Sequence, residues 1–168
     1  MHKKNLVFIG MPSSGKTTIG KLISELTGME FLDTDQLITD KTGTTPKEIV
    51  IQSGLDAFLE TQNNIIKSIE LYGYIVSTGG GVIYNDEAMN HLKKTSMVIF
   101  LKTDIDLIES RLTQDRRLAR SSGQSFQDIY LERMPLYSKY ADIIVDCNNK
   151  TPIDIANEVM NIAGLSIK

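Results

Sequence analysis

One cysteine, Cys147, is too few for an internal disulfide framework. A catalytic thiol needs a polarising partner, and the sequence shows none for it, so Cys147 reads as a small residue near a strand end. Histidine is almost as scarce. His2 and His91 are the only two, neither has a partner at metal-ligand spacing, and both read as solvated side chains. No stretch approaches the roughly 20 apolar residues of a membrane span. The start MHKKNLVFIG is basic, but its apolar run is too short for a secretory core and stops in a turn motif. Positive charge is not in excess either: 18 Lys and Arg face 21 Asp and Glu, and the net charge of −3 argues against a nucleic-acid platform. Internal repeats and low-complexity tracts are missing. What remains is a chain of 168 residues, 41% hydrophobic and 23% charged, expected to form one domain over residues 1–168 with a real core. A cytoplasmic enzyme or binding domain is the default reading.

The apolar pattern alternates between two periods. NLVFIG is short, β-prone and stops at a glycine, which predicts a buried strand. Ile19, Leu22, Ile23 and Leu26 then recur at helical spacing, closed by Gly28. MEFLDTD reads as a second strand ending in acidic residues. TTPKEIVIQSG opens with Thr45 as cap, Pro46 at the first helical position and Glu48 three after the cap. Gly54 ends that helix, and a longer one is predicted over residues 55–71. YGYIVSTGGG is strand then glycine turn, SMVIFLKTD strand, IDLIESRL helix and ADIIVDC the last strand. A final helix opens at Thr151, Pro152 and Asp154 and closes at Gly164. Strands alternating with helices throughout predict an α/β fold, a parallel sheet with helices on both faces. Residues 113–125, TQDRRLARSSGQS, are polar and arginine-rich and read as a mobile loop.

The junction after the first strand carries the sharpest signal. Gly10, Met11, Pro12, Ser13, Ser14, Gly15, Lys16 and Thr17 fit G-x-x-x-x-G-K-[ST] in full. The glycines let the backbone aim N–H groups at phosphate oxygens, and the following helix points its positive end at the same anion. Lys16 would reach the β- and γ-phosphates, and the Thr17 hydroxyl would serve Mg²⁺. Thr18 is expected to join Gly10, Ser13, Ser14 and Gly15 in binding the nucleotide. No N-K-x-D guanine reader is present, and motor ATPases are usually longer, so the small size favours a small-molecule or nucleotide kinase using ATP.

Two further clusters fall at strand ends, where parallel sheets gather ligands. Asp33 and Asp35 follow the second strand. Asp33 is expected to hold Mg²⁺, through water or directly, and Asp35 to orient or deprotonate an attacking hydroxyl. Gly79, Gly80 and Gly81 follow the third strand and are expected to approach a ligand closely and donate N–H groups to it. Arg133, near the middle of a predicted helix and shortly before a proline, suits paired hydrogen bonds to a carboxylate.

Together GMPSSGKTTIGKLIS, MEFLDTDQLI, TGGGVI, VIFLKT and ERMPLY resemble the blocks of shikimate kinases, in order and at nearly their spacing, over almost the whole chain. The resemblance implies a three-layer P-loop kinase fold of the nucleoside-monophosphate-kinase type, with a five-stranded parallel sheet. It also implies an acceptor-binding helical segment at about 33–62 and a mobile lid at about 113–125. By the same resemblance the enzyme transfers phosphate from ATP to the 3-hydroxyl of shikimate, in aromatic amino acid biosynthesis. Asp35, Gly79, Gly80, Gly81 and Arg133 contact the acceptor, and Arg117 or its neighbour Arg116 is the lid arginine near the phosphates. A monomer, with no nucleic-acid or membrane partner, is expected.

The chain departs from the family pattern in the acceptor half. In GLDAFLETQ, Phe58 matches, but Leu59 stands where the family has an arginine that clamps the acceptor carboxylate, and Gln62 where a glutamate is expected. The lid reads RRLAR in place of R-P-L. Losing one charge-assisted bond, worth roughly 1.5–3 kcal/mol, weakens a carboxylate acceptor by about one to two decades. Leu59 therefore keeps open a kinase of the same fold for another small hydroxylated acid or amino acid, such as homoserine. A nucleotide-binding regulator without phosphotransfer would be expected to lose Lys16, Thr17 or Asp33, and all three are present.

Overall fold

A computed structural model of the chain describes residues 5–112 and 123–168. Five strands, β1 (Asn5–Ile9), β2 (Glu30–Asp33), β3 (Tyr74–Ser77), β4 (Ser96–Lys102) and β5 (Ile143–Asp146), form one sheet in the order β2-β3-β1-β4-β5. Every neighbouring pair is parallel. The helices are α1 (Lys16–Thr27), α2 (Thr34–Thr42), α3 (Pro46–Ser53), α4 (Leu55–Lys67), α5 (Asp86–Lys93), α6 (Ile105–Arg111), α7 (Phe126–Tyr140) and α8 (Pro152–Ala163), and a 3₁₀ turn spans Val82–Tyr84.

β1 is buried along its whole length, because both faces of the sheet are covered. Its side chains alternate between two cores. Leu6 and Phe8 pack with Ile19 and Ile23 of α1 and with Ile155 and Val159 of α8. Val7 and Ile9 face Ile66 of α4, Met89 and Leu92 of α5 and Tyr137 of α7. Each fully buried aliphatic side chain contributes about 1.5–3 kcal/mol. A third cluster, Ile38, Phe58 and Ile65, holds α2, α3 and α4 together with partial help from Leu37, Ile49, Val50, Leu55 and Leu59. It is thin, and α3 has no buried residue at all.

The expected stops and starts are present: Gly28 closes α1 in the left-handed region, and Thr45–Glu48 and Thr151–Asp154 form capping boxes. α4 differs from the expectation. It ends at Lys67 and not at 71, because the Ser68 N–H turns back onto the carbonyls of residues 64–66. α2 falls inside the helical segment expected at about 33–62 but is not predicted as a separate helix, and α5 is not predicted at all. α7 runs through Pro135, whose exposed position puts the missing N–H on the solvent side. Cys147 is 1% exposed, and burial pushes its thiol up to about 11, as an inert thiol requires. His91 is not the solvated residue expected: it is half-buried and donates a ring N–H to the Ile69 carbonyl at 2.7 Å. His2 lies outside the described residues.

Candidate active site

The carboxyl ends of β1, β2 and β3 open into a cleft of about 2070 Å³. Gly10 leaves β1 at φ +148°, and Ser13 and Gly15 take φ values of +63° and +102°, so the loop of residues 10–15 curls back over the strand end. Gly15 is the N-cap of α1 and gives it no side-chain cap, so the positive end of the helix faces the loop and suits an anion. Lys16 is 7% exposed, and its Nζ donates to the carbonyls of Gly10 at 2.8 Å and Met11 at 2.7 Å. Its ammonium group is thus held at the loop itself. Ser14 is buried beside it, while Thr17 and Thr18 are exposed at the cleft.

Thr17 is the hinge between the loop and the strand ends. Its Oγ1 donates to Asp33 Oδ2 at 3.2 Å and lies 3.1 Å from Ser77 Oγ. The Asp33↔Ser77 register of β2 and β3 brings these two side by side. A carboxylate with two hydroxyls is a hard-oxygen set of the kind Mg²⁺ takes together with waters and phosphates. Asp33 has a second task, since its Oδ1 accepts the backbone N–H groups of Asp35 at 2.9 Å and Gln36 at 3.2 Å and so caps α2. Among the described residues no group of three or more His, Cys, Asp or Glu side chains is arranged to hold a metal by itself.

That cap fixes Asp35 in the first turn of α2, half-buried over the glycine turn. Its Oδ1 is buried and makes no hydrogen bond to the described residues. Burial first, and then the charge of Asp33, lift the Asp35 carboxyl above the usual aspartate range, with Lys16 pulling the other way. A carboxylate raised toward neutrality and left unpaired is suited to taking a proton.

Two of the three glycines, Gly79 and Gly80, are explained by how closely these groups approach. A Cβ at Gly79 would lie 2.6 Å from Asp35 Oδ1, and one at Gly80 would lie 2.9 Å from Arg133 Nη1 and 2.8 Å from Pro12 Cδ. The expectation that all three donate N–H groups to a ligand needs correction: the Gly79 N–H is engaged by Thr34 Oγ1 at 3.2 Å, because α2 packs against the turn. Arg133 is 1% exposed. Its Nε donates to Tyr84 Oη at 3.3 Å and its guanidinium lies 5.3 Å from the centre of the Tyr84 ring. Tyr84 in turn donates to Glu132 at 2.9 Å. Tyr137 donates to the Gly80 carbonyl at 2.6 Å, and burial keeps its hydroxyl protonated far above the usual range against the pull of Arg133. Leu59 stands at the same place: a Cβ at Gly81 would be 4.0 Å from both Leu59 Cδ2 and Arg133 Nη2.

The cleft therefore gathers Ser13, Ser14, Gly15, Lys16, Thr17, Thr18, Asp33, Asp35, Gly79, Gly80, Gly81 and Arg133. Gly10 lies below them at the end of β1. Sequence reasoning missed Ser77, Thr78 and the tyrosines, which reach the site only through strand register or helix packing. It also missed the far end of the cleft, where Arg111, Lys150, Pro152 and Ile155 line the wall. Arg111 Nη1 donates to the Ser13 carbonyl at 3.3 Å, tying α6 to the loop. No binding motif marks these four, although Pro152 reads as part of a helix start. Arg116 and Arg117, with Arg120 and most of the expected lid, lie outside the described residues.

The family model for shikimate kinase matches residues 12–163. A shikimate kinase of Sulfurihydrogenibium sp. is 35% identical over 160 residues, covering 94% of this chain and 96% of its own. One from Thermodesulfovibrio yellowstonii is 34% identical over 162 residues, covering 94% and 93%. The solved shikimate kinase from Acinetobacter baumannii, in complex with shikimate, resembles the chain with a TM-score of 0.86 at 30% identity, over 95% of this chain and 92% of that one.

Proposed function

This chain belongs to the shikimate kinase family, and from that membership we propose that it transfers the γ-phosphoryl group of ATP to the 3-hydroxyl of shikimate. The observation that carries the reading is a single cleft with a phosphate loop on one side and, across the glycine turn, an unpaired carboxylate and a buried guanidinium. A substrate with a hydroxyl at one end and a carboxylate at the other spans such a pair.

ATP lies with its phosphates over the loop of residues 10–18 and its base toward Arg111, Pro152 and Ile155. Arg133 draws the acceptor carboxylate, which directs the ring hydroxyl to Asp35. Asp35 takes the hydroxyl proton as the acceptor oxygen forms its bond to the γ-phosphorus and the bond to the bridging oxygen of ADP breaks. Lys16 leaves the loop carbonyls and neutralises charge gathering on the transferred group. Thr17 and Asp33, with Ser77 beside them, would hold Mg²⁺, which supplies further neutralisation of the phosphate oxygens when bound. Arg117, or Arg116, is proposed to close over the phosphates with the lid and keep water from the reaction. We further propose that it works as a monomer in the cytoplasm. Among the described residues no helix is long and apolar enough to cross a membrane.

The test is a coupled ADP-release assay over a panel of hydroxylated acceptors, with ³¹P NMR of the product. Saturable release with shikimate, and a new phosphate monoester on its ring, is expected. Turnover of homoserine or another acceptor with none of shikimate would overturn the reading.

A further inference from the structure

We infer that Gln62 is a specificity-determining residue of the acceptor end, donating from its carboxamide nitrogen to the acceptor's carboxylate; this rests on the functional reading above. Gln62 is 0% exposed, yet it forms part of the cleft wall with Phe58, one turn earlier on α4. Its orientation is imposed by a neighbour. Asn85 Nδ2 donates to the Leu59 carbonyl at 3.0 Å and to Gln62 Oε1 at 3.2 Å. A backbone carbonyl can only accept, so the Asn85 nitrogen is the donor, and Gln62 must meet it with its oxygen. The Gln62 nitrogen is then turned away from Asn85, and it is buried with no partner among the described residues. A buried N–H₂ without an acceptor is costly, and folds keep such groups where a partner arrives.

What arrives is set by the surroundings. The turn that carries Asn85 also carries Tyr84, which holds Arg133. One short segment thus positions both the guanidinium and the carboxamide. Leu59, which meets the glycine turn where Arg133 does, can donate nothing. The anionic end of an acceptor drawn in by Arg133 finds its second donor at Gln62. A neutral amide also fits the charge count. With one buried cation, Arg133, at this end among the described residues, a carboxylate at position 62 would be a second anion beside the acceptor's own.

The experiment is steady-state kinetics of wild type, Gln62→Met and Gln62→Glu with shikimate and ATP, with a melting temperature for each. Gln62→Met keeps the volume and removes the donor, and is expected to raise the shikimate KM about tenfold or more. Gln62→Glu, nearly isosteric, is expected to raise it further. The change should fall on the shikimate KM, with kcat and the ATP KM moved much less. An unchanged shikimate KM in Gln62→Met overturns the inference while leaving the proposed function intact. A lower KM in Gln62→Glu overturns it too, because a carboxylate there would welcome a hydroxyl and not an anion. Parallel rises for both substrates, with a lower melting temperature, would mean a purely structural role and overturn it likewise. If wild type turns over no shikimate, the functional reading fails and the inference falls with it.

Discussion

The two sides of the cleft are built differently. The donor side is a continuous loop anchored between β1 and α1, both sunk in the main cores, with Lys16 held by carbonyls of its own loop. The acceptor side is assembled from α2, α4, the glycine turn and α7, and its helical cap rests on a cluster of three buried apolar side chains. Donor chemistry is the same for every P-loop kinase, so a rigid local motif suffices for it. Acceptor chemistry differs between enzymes, and a patchwork of side chains on separate elements can change one position at a time. Leu59 and Gln62 are the departures that the resemblance to the family pattern implies there. The Lys16, Thr17 and Asp33 set shows none.

If the sides are separable, single substitutions should act on one and spare the other. The largest effect is expected from Asp35→Asn: it removes the proton acceptor and should lower kcat by about a thousandfold, while ATP affinity measured by titration stays near wild type. Lys16→Ala acts on the donor side, and kcat should drop by on the order of a hundredfold or more at saturating substrates. Turnover within threefold of wild type would remove Lys16 from the account.

Leu59→Arg sharpens the comparison on the acceptor side. A donor is added beside Arg133, and the shikimate KM should fall by about tenfold, with the ATP KM unchanged. The new guanidinium would also face Gln62. In a double-mutant cycle, the penalty of Gln62→Glu should shrink once the arginine is present, with a coupling of about 0.5–3 kcal/mol. Strict additivity would show that positions 59 and 62 do not communicate.

The pH dependence is subtler. Burial and Asp33 raise the Asp35 carboxyl, so kcat/KM for shikimate should climb with pH until Asp35 is ionised, with its inflection above the usual aspartate range. The stability effect has the opposite sign. A carboxyl with a raised folded pKa contributes stability in its protonated form, below the unfolded value, and loses it as pH rises through the folded value. Asp35→Asn should therefore melt slightly higher than wild type at neutral pH, and this advantage should vanish in acid, where both side chains are neutral. Differential scanning calorimetry at two pH values checks it. A lower melting temperature for Asp35→Asn at neutral pH would contradict the assigned environment.

Sequence patterns revealed the parts of this molecule that depend on neighbours in the chain. The phosphate loop, the Thr45 and Thr151 caps and the alternation of buried strands are local, so their residues announce them. Asp35 and Arg133 were legible as candidates because each follows a recognisable block. α2 is not legible as a separate helix since only Thr34 and Ile38 are buried in it, too few to set a period. Strand order, the Asp33↔Ser77 pairing and the tie from Arg111 to Ser13 are long-range, and no spacing encodes them. The role of Tyr84 in holding Arg133, across 49 positions, is of the same kind.

If an intact phosphate loop works with a weakened acceptor side, the KM values of the wild-type enzyme for its two substrates show it most directly. With Leu59 in place of a charged clamp, shikimate-dependent ADP release should saturate only toward about 1 mM or above, at the high end for enzymes, while ATP saturates well below that. A shikimate KM in the low micromolar range, or ADP release that ignores shikimate altogether, would contradict the account.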